Sequence, residues 1–83
     1  APRILIADDE PLLTELLEFR LSARGYQTIV ARDGREALAK LADDKPQAVL
    51  LDMMMPVHDG LEVLRRMRAS DEHASTPVIM LTA

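Results

Sequence analysis

The sequence predicts an α/β fold in which short parallel strands alternate with amphipathic helices. Four apolar runs of strand length are separated by stretches in which apolar residues recur at helical spacing. The run at 48–51 is apolar without alternation, which is typical of a strand buried on both faces of a parallel sheet. Strands that alternate with helices in this way pair in parallel through right-handed crossovers.

The first half of the chain is predicted to form a strand, a helix and a second strand. Residues 3–7 are an apolar run, and the acids at 8–10 with Pro11 fit the start of a helix. That helix is predicted to reach Arg24, because leucines recur at helical spacing and Gly25 follows. The leucines are Leu12, Leu13, Leu16, Leu17 and Leu21. Residues 26–31 alternate and are rich in β-formers, which predicts a strand near an edge of the sheet.

The second half of the chain repeats this alternation. Asp33 and Gly34 turn the chain into a helix that is predicted to end around residues 43–44, before Pro46. The buried strand that ends at Asp52 follows. A third helix is predicted from Gly60 to about Arg68, and a polar stretch then leads to a fourth strand at 77–81.

Composition excludes several classes of function. The chain has 83 residues, a net charge of -4, no cysteine and only two aromatic residues, Phe19 and Tyr26. We therefore expect no nucleic-acid surface, no disulfide and no thiolate metal site in this segment. No apolar stretch is long enough to span a bilayer and no signal-peptide pattern is present, so we expect a single cytoplasmic domain over residues 1–83 that does not enter a membrane.

Polar groups follow three of the four predicted strands. They are Asp8 with Asp9, Asp52, and Thr82. Because the carboxyl ends of parallel strands meet at one edge of the sheet, these groups are predicted to form a single site. Carboxylates that converge there repel one another, and an all-oxygen ligand set favours Mg²⁺ over Zn²⁺.

With a cation present, a carboxylate of this site could act as a nucleophile toward a phosphoryl group. The Thr82 hydroxyl and the backbone amides of Met53, Met54 and Ala83 could donate hydrogen bonds to the phosphoryl oxygens. In isolation, Asp8 and Asp9 would be interpreted as helix-capping acids, but with Asp52 and Thr82 at the same edge the metal site is favoured. The alternative for Thr82 is an ordinary residue at the end of a strand.

These residues resemble those of bacterial response-regulator receiver domains. The shared features are Asp8–Asp9 after the first strand, the run 51–56 with Gly60 after the third, and Thr82–Ala83 after the fourth. The resemblance covers the whole chain. It implies a flavodoxin-like (CheY-like) parallel sheet with strand order 2-1-3-4.

The resemblance also implies roles for the acidic residues. Asp52 would be the phosphoacceptor. Asp9, Asp52 and the backbone carbonyl of Met54 would bind Mg²⁺ directly, and Asp8 would act mostly through water.

The resemblance further implies how the phosphoryl group is held and where it comes from. Thr82 would be the switch residue, and the amides of Met53 and Ala83 would contact the phosphoryl group. Pro56 and Gly60 would shape the loop that leaves the site. A phosphohistidine on a histidine kinase or phosphotransfer protein would be the donor, docking largely on the first helix.

The chain departs from the pattern of a complete receiver after the fourth strand. Such a domain continues with a fifth strand that carries a lysine and with further helices, whereas the only lysines here are Lys40 and Lys45. We therefore expect a partial receiver, truncated after the fourth strand. The bare apolar edge of residues 78–81 is then expected to pair with a second copy, giving a homo-oligomer.

We expect a phosphoryl-accepting switch rather than a turnover enzyme. The main alternative is a degenerate or truncated receiver that acts only as a protein-interaction or oligomerisation module. A phosphohydrolase with an aspartyl nucleophile is disfavoured because Met54 stands where a second acid is usual, and no glycine-rich nucleotide motif follows the first strand.

Two other kinds of residue receive simple structural predictions. His58 and His73 have no partner at metal-ligand spacing and are predicted to be exposed loop residues. Met53, Met54, Met55 and Met67 are predicted to fill the core and pack the loops.

Overall fold

The computed structural model describes residues 1–81 and contains four strands and three helices in alternation. The strands are β1 (Arg3–Ala7), β2 (Gln27–Ala31), β3 (Ala48–Asp52) and β4 (Val78–Leu81). The helices are α1 (Pro11–Ala23), α2 (Gly34–Asp44) and α3 (Gly60–Ala69). Each element lies within two residues of its predicted bounds. None of the helices in the described part of the chain is long and apolar enough to cross a membrane.

All four strands pair in parallel, in the order β2-β1-β3-β4. Ala7 at the end of β1 lies opposite Ala31 of β2 and Leu51 of β3, and Asp52 lies opposite Leu81 of β4. The carboxyl ends of the strands therefore meet at one rim of the sheet. The predicted fold class and strand order are confirmed, as is the edge position of β2.

The helix ends follow from local chemistry. Asp33 and Asp59 precede α2 and α3, and each accepts a hydrogen bond from the backbone N–H of the third residue beyond it, at 2.7 and 2.9 Å. Gly25 follows α1 with a φ of +91°, a conformation that glycine adopts without steric cost. Glu10 makes no side-chain capping bond to α1, so Pro11 is the main signal for the start of that helix.

The core lies between one face of the sheet and the helices α2 and α3. Its members from the strands are Leu5, Ala7, Ala31, Val49 and Leu51, and those from the helices and the loop are Ala37, Leu41, Met55, Val63 and Met67. The opposite face is less completely covered by the described residues, since Leu50 is only half-buried and Ile79 is exposed. The prediction that β3 is buried on both faces is thus correct for one face only.

Helix α1 buries only some of the leucines whose spacing predicted it. Leu13, Leu17 and Leu21 are half-buried, whereas Leu12 and Leu16 are exposed together with Phe19. Within residues 1–81, α1 contacts β2 but does not enter the buried cluster formed by α2 and α3. Leu12, Leu16 and Phe19 therefore form an exposed apolar face on α1, which we call the α1 face.

His73, in the connection between α3 and β4, is buried rather than exposed. Its Nδ1 lies 2.9 Å from the Thr76 hydroxyl, and its Nε2 lies 2.9 Å from the carbonyl oxygen of Leu41 in α2. Arg68 donates from Nη1 to three backbone carbonyls of the same connection. The prediction of an exposed histidine was wrong because this polar segment folds back onto α2.

Candidate functional site

Three aspartates meet at the rim where β1 and β3 end. Asp8 and Asp9 follow the last residue of β1, and Asp52 is the last residue of β3. One carboxylate oxygen from each of the three lies within 4.8 Å of the other two. Asp8 and Asp52 are buried, whereas Asp9 is exposed. The predicted convergence of these acids is therefore present in the fold.

Hydrogen bonds from nearby backbone amides orient the two buried carboxylates. The Glu10 amide donates to Oδ1 of Asp8 at 2.9 Å, and the Met54 amide donates to Oδ1 of Asp52 at 3.1 Å. Each bond spans two residues, so the turn that follows each strand holds its own acid in place. Within the described residues, Oδ2 of Asp52 receives no hydrogen bond and is free for other chemistry.

The electrostatics of the cluster are unfavourable without a cation. Burial raises the pKa of Asp8 above its ordinary value, the bond from the Glu10 amide lowers it, and the charges of Asp52 and Asp9 raise it further. No ion pair of residues 1–81 involves any of the three aspartates. The fold thus holds like charges together, and no cationic side chain of the described residues pairs with them.

A hard divalent cation fits this donor set. The three side chains offer only oxygen, and among residues 1–81 the backbone carbonyl of Met54 accepts no hydrogen bond and is free to serve as a further ligand. Mg²⁺ prefers such ligands and keeps part of its water shell. Neither a thiolate nor an imidazole belongs to the cluster within the described chain, which disfavours zinc.

Two glycines fix the loop between β3 and α3 close to its neighbours. A Cβ on Gly60 would overlap the Asp52 carbonyl and lie 2.7 Å from Cα of Met53, and the Gly60 amide donates to the Met53 carbonyl at 3.1 Å. A Cβ on Gly34, the first residue of α2, would overlap the backbone of His58. Side chains at either position would displace the loop that begins at Asp52.

The pocket around the acids has a volume of about 360 Å³ and includes residues that the sequence patterns did not identify. Glu10, Leu13 and Leu81 line it together with Met54 and the three aspartates. Leu13 could have been found from its place one turn into α1, directly after the acids. Met54 was predicted to pack inside, but it is 72% exposed at the mouth of the pocket, so that prediction was wrong.

Of three residues predicted to contact the phosphoryl group, the described part of the chain includes one, Met53, whose amide already has a hydrogen-bond partner. Thr82 and Ala83 lie outside the described residues. The Met53 amide donates to the carbonyl of Leu81 at 3.4 Å, a long bond that continues the ladder between β3 and β4. A phosphoryl oxygen that accepted a hydrogen bond from the Met53 amide would therefore compete with the Leu81 carbonyl for the same donor.

Comparison with known proteins identifies the class to which this fold and this acidic rim belong. Residues 4–83 match the response regulator receiver domain family, and the chain belongs to that family. The resemblance inferred from the motifs is thereby confirmed.

Individual relatives agree with this assignment. The chain is 48% identical over 81 residues to the transcriptional regulatory protein TrcR of Mycobacterium tuberculosis, covering 98% of this chain and 31% of that protein. It therefore spans about a third of the length of this curated relative. The N-terminal domain of a response regulator receiver protein from Methanoculleus marisnigri superposes with a TM-score of 0.92 at 40% identity, covering 98% of this chain and 66% of that one.

One solved neighbour was determined with a metal ion in its cleft. The receiver domain of the sensor histidine kinase PA1611 from Pseudomonas aeruginosa carries magnesium coordinated in its active-site cleft. It superposes with a TM-score of 0.94 at 31% identity, covering 100% of this chain and 68% of that one.

Proposed function

We propose that this chain is the phosphoaccepting part of a two-component response regulator. Asp52 takes a phosphoryl group from a histidine kinase or phosphotransfer protein, with Mg²⁺ as cofactor, and the domain changes conformation rather than turning over a substrate. The observation that carries the proposal is the convergence of Asp8, Asp9 and Asp52 at the carboxyl-end rim of the sheet. Membership of the receiver family supports it.

The chemistry is nucleophilic substitution at phosphorus. A carboxylate oxygen of Asp52 forms a bond to the phosphorus of the donor phosphohistidine, the bond from phosphorus to the histidine nitrogen breaks, and that nitrogen keeps the electron pair. The product is an acyl phosphate. Because the Met54 amide occupies Oδ1 of Asp52, we assign the attack to Oδ2.

The roles of the ligands follow from their placement. We assign direct contacts with Mg²⁺ to Asp9, Asp52 and the Met54 carbonyl, and a water-mediated contact to Asp8, whose Oδ1 is already bonded to the Glu10 amide. When bound, the cation neutralises charge on the carboxylates and on the phosphoryl oxygens. We further propose that Thr82 supplies the switch hydroxyl. The backbone amides of Met53 and Ala83 are proposed as donors to the phosphoryl group.

The α1 face is the proposed docking surface for the donor protein. Its three apolar side chains are exposed at spacings of four and three residues, so they share one side of the helix that starts beside the acids. A partner helix could bury them. We expect Leu16→Ala to slow transfer from a phosphohistidine domain several-fold while leaving labelling by phosphoramidate, a small donor, unchanged. Equal slowing with both donors would argue against docking on α1.

Incubation with acetyl phosphate and Mg²⁺, followed by intact-mass measurement, tests the central proposal. We expect one phosphoryl adduct, which disappears when Mg²⁺ is chelated and is absent in Asp52→Asn. Asp43→Asn is a matched control, because Asp43 is exposed in the last turn of α2 and is not among the pocket residues. An adduct that persists in Asp52→Asn would contradict the assignment.

A second candidate function is an interaction module without phosphoryl chemistry, and one observation favours it. The carbonyls of Pro77 and Leu81 bond to β3, so the alternate peptide groups, those of Val78 and Met80, point away from the sheet. Among the described residues no strand covers that edge, and Ile79 beside it is exposed. We propose pairing of β4 with β4 of a second copy.

Light scattering at micromolar concentration tests this pairing. We expect a dimer for the unchanged chain and a monomer for Ile79→Lys, because a lysine at the edge disfavours strand addition. A monomeric mass for the unchanged chain with native circular dichroism would exclude the interface.

A further inference from the structure

The five methionines of this chain differ widely in exposure. Met55 and Met67 are 6% and 2% exposed and belong to the core, and Met53 and Met80 are half-buried. Met54 is 72% exposed. Methionine usually fills gaps inside a protein, so an exposed thioether between two more protected ones requires an explanation.

The position of Met54 ties it to the acidic rim. Its backbone amide donates to Oδ1 of Asp52 at 3.1 Å, and the residue lines the same pocket as Asp8, Asp9 and Asp52. Any chemical change at its side chain therefore occurs at the mouth of the site, two residues from the carboxylate that we assign as nucleophile.

We propose that the Met54 thioether is a reversible oxidation site that controls access to the acidic pocket. Hydrogen peroxide transfers one oxygen atom to the sulfur, which gives up an electron pair to the new S–O bond, and the peroxide leaves as water. The sulfide is oxidised to the sulfoxide while the peroxide is reduced. Methionine sulfoxide reductases can reverse this change, as they do for other exposed methionines.

Oxidation converts the apolar Met54 side chain at the pocket into a polar one. The sulfoxide oxygen carries partial negative charge and is a hydrogen-bond acceptor, so it repels an anionic phosphoryl donor that approaches Asp52. This consequence rests on the proposed phosphoryl transfer, whereas the oxidation itself does not. We expect the oxidised protein to react with acetyl phosphate roughly two- to fivefold more slowly.

Peptide mapping after limited treatment with hydrogen peroxide tests the site without reference to phosphorylation. We expect Met54 to gain oxygen first, roughly fivefold or more faster than Met55 and Met67, since attack requires access to the sulfur. Equal oxidation of all five methionines, or faster oxidation of Met53 or Met80, would overturn the proposal.

Two variants test the consequence. Met54→Leu should be labelled by acetyl phosphate at the same rate before and after peroxide treatment, because leucine cannot be oxidised. Met54→Gln, which places an acceptor oxygen at a similar distance along the side chain, should be slow without peroxide. An oxidised protein that labels at the unoxidised rate would overturn control of access, and a protein that never labels would instead contradict the proposed function.

Discussion

Two groups of polar side chains in the described part of this domain differ in how their polar atoms are satisfied. At the α3–β4 connection, both ring nitrogens of His73 have hydrogen-bond partners. Arg68 donates to three backbone carbonyls there and forms no ion pair within residues 1–81. At the acidic rim, Asp8 and Asp52 are buried beside like charges with no cation from the described residues. The polar atoms of the first arrangement are satisfied by protein groups, whereas the charges of the second have no counter-charge among the described residues.

This difference separates a structural role from a functional one. A buried polar group with all its partners stabilises one packing arrangement. A buried charge without a counter-charge destabilises the fold until a ligand arrives. The contrast predicts that substitutions at the α3–β4 connection lower stability without changing cation binding. Substitutions at the acidic rim should change cation binding without destabilising the cation-free fold.

The largest effect on stability is expected at His73. His73→Ala removes both ring hydrogen bonds and leaves the buried Leu41 carbonyl without its partner, so we expect a loss of about 2–3 kcal/mol in the free energy of unfolding. Urea denaturation measures the loss, and His58→Ala is the matched control, expected within about 0.5 kcal/mol of the unchanged chain. The Kd for Mg²⁺ should not change. A weaker cation affinity in the folded His73 variant would remove the distinction between the regions.

At the acidic rim, Asp9→Asn should act on the cation instead. Loss of an exposed carboxylate ligand is expected to weaken Mg²⁺ binding roughly tenfold or more, with little change in the urea midpoint when the cation is absent. Isothermal titration calorimetry measures the affinity. A destabilised apo protein would show that Asp9 has a structural role after all.

Asp8→Asn should stabilise the domain when no divalent cation is present. The folded state raises the pKa of Asp8, so its contribution to stability is full below the unfolded value of 3.8 and is lost as pH rises through the raised folded pKa. At neutral pH the ionised side chain therefore destabilises the fold. Asparagine keeps an oxygen for the Glu10 amide without the charge, and we expect Tm at pH 7 to rise by roughly 2–5 °C.

Two further measurements sharpen this prediction. The gain in Tm from Asp8→Asn should shrink as the pH is lowered toward 4, because the aspartate is then increasingly protonated. It should also shrink when Mg²⁺ is added, since the cation stabilises the unchanged chain by binding its folded state. A lower Tm in the variant at neutral pH without cation would contradict the electrostatic account.

The smallest effect is expected in the loop that leaves the acidic rim. Val57 is exposed and has a φ of 70°, a left-handed conformation that is costly for a β-branched residue. Val57→Gly should stabilise the domain by about 0.5–1 kcal/mol, the relief of strain outweighing the added freedom of the unfolded chain. Thermal unfolding with and without Mg²⁺ measures this change in stability. Destabilisation by Val57→Gly would indicate that the valine side chain makes a compensating contact.

The sequence was sufficient to predict the architecture and the acidic cluster because both depend on regular patterns. Apolar runs that alternate with helical spacing define a parallel sheet, and that topology alone brings residues 8, 9 and 52 to one rim. The sequence also placed Asp33 directly before α2 and Gly60 at the start of α3.

What the sequence did not predict depends on single tertiary contacts. Nothing in the polar stretch after α3 indicates that His73 reaches the Leu41 carbonyl, 32 residues away. Likewise, three consecutive methionines give no periodic signal that distinguishes buried Met55 from exposed Met54. The leucine spacing predicted the helix α1 but not which of its leucines are covered, so the exposure of Leu12 and Leu16 could not be read from the sequence.

Gly34 gives the acidic rim a dependence on a helix that supplies none of its ligands. Because Gly34 at the start of α2 lies against the His58 backbone, with its amide 3.3 Å from the Pro56 carbonyl, any side chain at position 34 would shift the segment that follows Asp52. In a random mutagenesis screen for lost signalling, we would thus expect alleles at codon 34 beside those at the three acids. Such alleles would impair the output while keeping every residue of the pocket unaltered.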